Sequence, residues 1–111
     1  MKGCGRLEKT LDSQVKFAGR ILRLRVDEVE LAGGRRALRE VVEYPGAVTV
    51  LPLTEEGEVV MVRQYRHAVG ERLLELPAGK LETGEDPLET AKRELAEETG
   101  YRARELKLLL R

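Results

Sequence analysis

The sequence predicts an α/β (α+β) fold in which a small N-terminal antiparallel sheet precedes a domain of short strands and one well-defined helix. Three features predict it. Apolar and charged residues alternate before the pair Gly33-Gly34, and a second strand-like run follows it. Short apolar runs follow Pro45-Gly46, and residues 87–99 are rich in helix formers. The chain has 111 residues, of which 41% are hydrophobic and 36% charged. That composition is typical of a packed core beneath a heavily ionised surface.

The N-terminal part is predicted to be a two-stranded ribbon. Apolar and charged residues alternate between Ile21 and Val29, and Leu38 to Tyr44 reads as the returning strand. A Gly-Gly pair between two such runs is typical of a tight hairpin turn. We therefore assign residues 1–44 to an N-terminal β-ribbon and residues 45–111 to a second domain.

Further short strands are predicted after Pro45-Gly46. Ala47 to Leu53 and Glu58 to Tyr65 are mostly apolar, and the turn residues 54–57 between them indicate a hairpin. Leu73 to Leu76 predicts another short strand, and Leu106 to Leu110 a last one.

One helix is specified at both ends. Asp86 is a good N-cap, Pro87 suits the first helical position, and Glu89 completes the spacing of a capping box. Gly100 follows the last periodic residue and suits a left-handed C-terminal cap. Leu88, Ala91 and Leu95 are predicted to form the buried face.

Carboxylates gather along the edge of that face. Glu94 and Glu98 are four residues apart and therefore lie together, with Glu97 one position further round. Like charges at this spacing repel each other, and a divalent cation such as Mg²⁺, which prefers oxygen ligands, removes the repulsion. A Glu-rich helix is more commonly a solvated face. That alternative does not explain the glycine-punctuated loop, with Glu82 and Glu85, that leads into the helix.

Several function classes are disfavoured by composition. Twenty basic and twenty acidic residues cancel, so no overall field favours nucleic acid or a membrane surface. Cys4 is the only cysteine, which excludes intrachain disulfides, and we interpret it as an incidental residue of the terminus. His67 is interpreted as a loop residue. The sequence lacks a signal-peptide pattern, so we expect a cytoplasmic protein, and its lack of Asn is typical of thermophiles.

The spacing of the loop and helix residues resembles the Nudix box. Gly79 is followed by five residues and Glu85, then by seven residues and the run Arg93-Glu-Leu-Ala-Glu-Glu-Thr-Gly-Tyr101. Only Tyr101 departs, since an aliphatic residue is usual there. The flanking runs EYPGAV (43–48), VRQYR (62–66) and LELPAG (74–79) are similar to the ADP-ribose pyrophosphatase branch of that family.

The resemblance implies a Nudix fold, a mixed sheet with flanking helices, that hydrolyses a nucleoside diphosphate with Mg²⁺, or with Mn²⁺ or another divalent cation. It implies that the metal is held by Ala78, Glu82, Glu94 and Glu98. The catalytic set it implies is Arg93, Glu94, Glu97 and Glu98. The substrate-binding set it implies is Arg66 and Glu82, with Arg39 and Glu40 at the nucleoside end.

The resemblance also implies ADP-ribose as the substrate, with AMP and ribose 5-phosphate as products. We expect a homodimer formed through the N-terminal strands, with Phe17, Ile21 and Leu24 in the interface. Since the family's fold continues past the box, we expect its C-terminal part, and the catalytic base, to lie beyond Arg111. Two alternatives stay open: hydrolysis of another nucleoside-diphosphate sugar such as GDP-mannose, and a non-catalytic nucleotide- or metal-binding fragment.

Overall fold

The N-terminal unit is a three-stranded antiparallel sheet. The computed structural model describes residues 7–111, so Cys4 lies outside the described residues. The chain divides into two compact units, Met1–Pro45 and Gly46–Arg111, each of which is described by itself. Strands β1 (Lys9–Ala18), β2 (Arg23–Glu30) and β3 (Arg36–Glu43) pair in the order β1-β2-β3. The glycines at the β2–β3 turn have positive φ, as a tight hairpin requires.

The prediction of a two-stranded ribbon was wrong, because β1 is a third strand. Six of its ten residues are polar, all ten are exposed, and its apolar residues do not form a continuous alternation in the sequence. Its backbone pairs along β2, and Ser13 of β1 donates a 2.7 Å hydrogen bond to Asp27 of β2. Val29 is the buried apolar residue of this sheet. Backbone pairing and polar contacts therefore hold β1 in place.

The C-terminal unit contains four short strands and one helix. The strands are β4 (Ala47–Thr49), β5 (Val62–Arg66), β6 (Glu71–Glu75) and β7 (Ala78–Lys80), and the helix α1 spans Pro87–Thr99. Strand β4 pairs with β7 and β5 pairs with β6, both antiparallel. Strands and a helix together confirm the α/β (α+β) class.

Several predicted strands differ from those observed. The predicted strand Ala47 to Leu53 ends at Thr49. Its expected pairing with the run Glu58 to Tyr65 is reduced to one bridge, between Leu53 and Val59. The turn itself is present, since the Gly57 N–H donates to the Thr54 carbonyl at 2.9 Å. Residues 106–110 form no strand, and their leucines at 108–110 are largely exposed. Residues 106–110 have strand-like composition, but no strand in the described residues pairs with them.

Helix α1 begins and ends as predicted, although its N-terminal cap differs. The Asp86 side chain makes no cap hydrogen bond, and the Asp86 carbonyl accepts a hydrogen bond from the Thr90 hydroxyl at 3.2 Å. Gly100 is left-handed, with φ 78°, and its N–H closes on the Ala96 carbonyl. Leu88 is 44% exposed, which contradicts its predicted place on the buried face.

The buried face of α1 consists of Thr90 and Leu95, and it packs on β7 and β4. Val50 and Pro77 complete this small core, and the Val50 N–H donates to the Pro77 carbonyl at 2.8 Å. This packing fixes β7 against the helix edge that carries the glutamates. No helix within residues 7–111 has the length and apolar character needed to span a membrane.

Candidate active site at the edge of helix α1

Glu94 and Glu98 of α1 lie against consecutive residues of β7. Glu98 Oε1 accepts the Ala78 N–H at 3.1 Å. The Glu94 carboxyl group occupies the space in front of Gly79 that any side chain there would fill, so a larger residue at this point would displace the Glu94 side chain. Because α1 packs on β7, two residues one turn apart on the helix both meet one short strand. The structure thus brings together the two glutamates that the sequence singled out.

Arg93 links the loop to the helix carboxylates. Its guanidinium donates two hydrogen bonds to Glu85, Nε to Oε2 at 3.0 Å and Nη2 to Oε1 at 2.9 Å. Its Nη1 reaches Glu94 at 2.9 Å and Glu97 at 3.2 Å. Glu82 lies further out, at 3.5 Å from Nη2, with its side chain 66% exposed. Arg93 therefore supplies the positive charge that lets these carboxylates lie close together.

The pairing of Arg93 with Glu85 shifts the pKa of both groups. The hydrogen bonds from Arg93, with a further one from the Glu82 N–H, lower the pKa of Glu85 to about 2. The same pair raises the pKa of Arg93 above its ordinary range. Glu85 is thus the residue that anchors Arg93, a role not assigned to it from the sequence. Its fixed place in the box, seven residues before Arg93, was the available signal.

Gln64 and Glu75 are two further residues that the sequence did not single out. Gln64 Nε2 donates to Glu98 Oε2 at 3.3 Å. Glu75 accepts two hydrogen bonds from Arg66, one of them from Nε at 2.7 Å, and this pairing lowers the pKa of Glu75. The side chain of Arg66 is 48% exposed. The hydrogen bond with Glu75 raises the pKa of Arg66, and the nearby charge of Glu98 raises it further. Alternation along β5 places positions 64 and 66 on one face, which was the available signal.

Arg39 and Glu40 belong to β3 of the N-terminal unit, and their assignment to the nucleoside end stays a prediction. Arg39 makes two hydrogen bonds with Glu8, at 2.9 and 2.8 Å, and Glu40 is exposed. His67 lies in the exposed turn between β5 and β6, where it was expected.

The donor set of this edge has the chemistry of a hard-cation site. Carboxylate and carbonyl oxygens are the ligands that Mg²⁺ prefers, and Glu94 and Glu98 offer them from adjacent positions along β7. Within residues 7–111, however, no three His, Cys, Asp or Glu side chains converge as metal ligands. Glu94 and Glu97 are instead paired with Arg93.

Comparisons with known proteins agree with these features. A family model described as "NUDIX domain" matches residues 43–111. A second, described as "Nucleoside diphosphate sugar hydrolase N-terminal domain", matches residues 8–42.

Two curated relatives are 50% identical to the chain: a protein named methanol dehydrogenase activator from Bacillus methanolicus, over 103 residues, and one named ADP-ribose pyrophosphatase from Bacillus subtilis, over 99 residues. An ADP-ribose pyrophosphatase of Mycobacterium tuberculosis is 48% identical over 96 residues. These alignments cover 93%, 89% and 86% of this chain but 56%, 54% and 46% of the relatives. The chain thus spans about half the length of the curated relatives it matches.

A solved structure described as an ADP compounds hydrolase has a similar fold. It superposes with a TM-score of 0.75 at 25% identity, covering 88% of this chain and 54% of that one.

Proposed function

The chain belongs to the NUDIX domain family, and on that premise we propose that it is a metal-dependent pyrophosphohydrolase that cleaves ADP-ribose to AMP and ribose 5-phosphate. Membership confirms the resemblance read from the box. One observation carries the proposal: Glu94 and Glu98 of α1 lie side by side against β7, and Arg93 pairs with Glu94. The relatives named ADP-ribose pyrophosphatase support the choice of substrate.

In this proposal Glu94 and Glu98, with the Ala78 carbonyl and Glu82, hold Mg²⁺ or Mn²⁺. When bound, the cation neutralises charge on the diphosphate oxygens and favours water attack on phosphorus. Glu98 contributes a carboxylate whose two oxygens are already held by donors from β7 and β5. Glu94 contributes one that is packed against Gly79.

Arg93 and Glu97 act beside these ligands. Arg93 is tied to Glu85 by two hydrogen bonds, so its guanidinium is fixed in front of Glu94. Glu97 is 59% exposed, which leaves its carboxylate accessible to water at the edge of the site. We assign Arg93 a positioning role and Glu97 an assisting one.

Arg66 is the proposed contact for the substrate phosphates. A guanidinium offers paired donors that match phosphate oxygens, and Glu75 holds this one in place by the same paired geometry. Its half-exposed position on β5 leaves donor groups accessible. Arg39 and Glu40 remain candidates for the nucleoside end.

The N-terminal sheet is the proposed dimer contact of a cytoplasmic protein. Phe17, Leu24 and Val42 are neighbours across its three strands, and Phe17 and Val42 are 58% and 59% exposed. Ile21, in the turn between β1 and β2, is 57% exposed. Exposed apolar side chains that are neighbours on one sheet are typical of a surface that another chain covers. We therefore propose residues 1–44 as the dimerisation region and 45–111 as the Nudix region.

A second candidate substrate is a nucleoside-diphosphate sugar such as GDP-mannose. The match of residues 8–42 to an N-terminal domain of nucleoside diphosphate sugar hydrolases favours it. Both candidates require the same carboxylates, since both contain a diphosphate.

A hydrolysis screen tests the proposal. The chain and the product of its full reading frame are incubated with ADP-ribose, GDP-mannose and ADP, each with Mg²⁺ or with EDTA. We expect AMP from ADP-ribose in Mg²⁺ and no product in EDTA. A preference for GDP-mannose would transfer the proposal to the second substrate, and hydrolysis of none by either protein would contradict it.

A further inference from the structure

Gln64 connects the β5–β6 hairpin to the glutamate edge of helix α1. It lies in the middle of β5 and is partly buried. Its side-chain amide reaches Glu98, 34 residues later, and donates to Oε2 at 3.3 Å.

The carboxylate that receives this bond is held on its other side as well. Glu98 Oε1 accepts the backbone N–H of Ala78 at 3.1 Å. One oxygen is thus fixed from β7 and the other from β5, so the carboxylate cannot rotate without losing a bond. Each carboxylate oxygen has two lone-pair directions, and each donor uses one. The remaining directions stay available to a cation.

Both donors of Glu98 are neutral, in contrast to those of Glu94. Glu94 is paired with Arg93, whose charge offsets its own. Within residues 7–111, no Lys or Arg lies within ion-pair distance of Glu98. A neutral amide orients a carboxylate without supplying a competing positive charge. Glu98 is therefore oriented by two neutral donors.

We propose that Gln64 is a positioning residue that holds Glu98 in the orientation in which it binds a divalent cation. The inference rests on the proposed metal-binding role of Glu98 and adds a residue outside the Nudix box to it. Residues that orient a metal ligand commonly contribute 10- to 100-fold to metal affinity. Since Gln64 supplies one of two orienting bonds, we expect the lower part of that range.

The test is the Mn²⁺ affinity of Gln64→Met, measured by calorimetry or by electron paramagnetic resonance. Methionine keeps the length of glutamine and removes the amide donor. We expect roughly tenfold weaker Mn²⁺ binding. When ADP-ribose hydrolysis is assayed, the Mg²⁺ concentration that gives the half-maximal rate should be higher for Gln64→Met than for the parent. The kcat at saturating Mg²⁺ should stay close to the parent value. The matched control is Arg63→Met, on the opposite face of β5, which should leave Mn²⁺ affinity unchanged.

A second variant separates positioning from folding. Gln64→Asn keeps the amide but withdraws it from Glu98 by one methylene, and it should weaken Mn²⁺ binding like Gln64→Met with an unchanged Tm. Parent-like affinity in both variants, beside weak binding by Glu98→Gln, would overturn the role of Gln64 alone. Parent-like affinity in Glu98→Gln as well would overturn the metal site itself.

Discussion

The Glu94 carboxyl group fills the place where a side chain on Gly79 would begin. A Cβ built on that glycine would overlap the Glu94 side chain, and the φ of Gly79 is not in the left-handed region. The absence of a side chain at Gly79 therefore makes room for Glu94 and is not dictated by the backbone conformation. Since Glu94 is a proposed metal ligand, this contact ties the first residue of the box to the chemistry of the helix.

Gly79→Ala should therefore displace Glu94 and lower divalent-metal affinity. Because a carboxylate ligand would move out of place, we expect a loss of activity of roughly 100-fold. Calorimetric Mn²⁺ titration and kcat are the measurements. Lys80→Ala, the exposed neighbour on β7, is the control and should behave as the parent. Parent-like Mn²⁺ binding by a folded Gly79→Ala would contradict the proposed role of the Gly79–Glu94 contact in placing the ligand.

Arg66→Ala should weaken substrate binding without changing metal affinity. A lost charge-assisted bond costs about 1.5–3 kcal/mol, so KM for ADP-ribose should rise roughly 10- to 100-fold. Arg66→Lys should not restore KM, because an ammonium cannot reproduce the paired donors. Arg63→Ala on the opposite face of β5 serves as the control. Unchanged kcat/KM for both ADP-ribose and GDP-mannose in Arg66→Ala would remove Arg66 from the site.

The helix and its two glutamates could be predicted from the sequence because their signals are local. Pro87 and Gly100 mark the ends of α1, and a spacing of four residues places Glu94 beside Glu98. The side-chain cap expected of Asp86 did not form, although Asp86 has the extended backbone of an N-cap residue. Local sequence patterns therefore predict where a helix starts more reliably than which side chain caps it.

The contacts that hold the site could not be predicted, because they depend on pairing between distant segments. Gln64 and Glu98 are 34 residues apart, and Arg66 meets Glu75 only because β5 and β6 pair. Strand β7 is three residues long, too short to show any periodicity. The mainly polar strand β1 could not be predicted for a related reason, since its strand conformation depends on pairing with β2.

Phe17→Glu should dissociate the proposed homodimer. A charge placed in the exposed apolar row of the N-terminal sheet would have to be buried in the interface, at a large desolvation cost. Sedimentation at micromolar concentration should show dimers for the parent and monomers for the variant. Thr10→Glu adds the same charge on the other face of the sheet and should remain dimeric. A monomeric parent would contradict the proposal.

Ser13→Ala should make the N-terminal sheet more sensitive to acid. The Ser13 hydroxyl, and then Arg25, lower the pKa of the buried Asp27 below its ordinary value. A pKa that is lower in the folded state stabilises the fold above the unfolded-state pKa, and this is lost as pH falls through the folded-state pKa. Removing the hydroxyl raises the folded pKa, so the acid transition should shift to higher pH. Carboxyl NMR titration of Asp27 measures the shift, and an unchanged Asp27 pKa would contradict this account.

Glu98→Gln tests the central claim most directly, because it removes one negative charge from the proposed metal site and changes little else. The measurement is Mg²⁺ titration by calorimetry, run beside Mg²⁺-dependent release of AMP from ADP-ribose by the active form. We predict weaker Mg²⁺ binding, an unchanged Tm, and a loss of activity of about 100-fold or more. Mg²⁺ affinity and AMP release equal to those of the parent would contradict the assignment of Glu98 and the metal-dependent hydrolysis proposed from it.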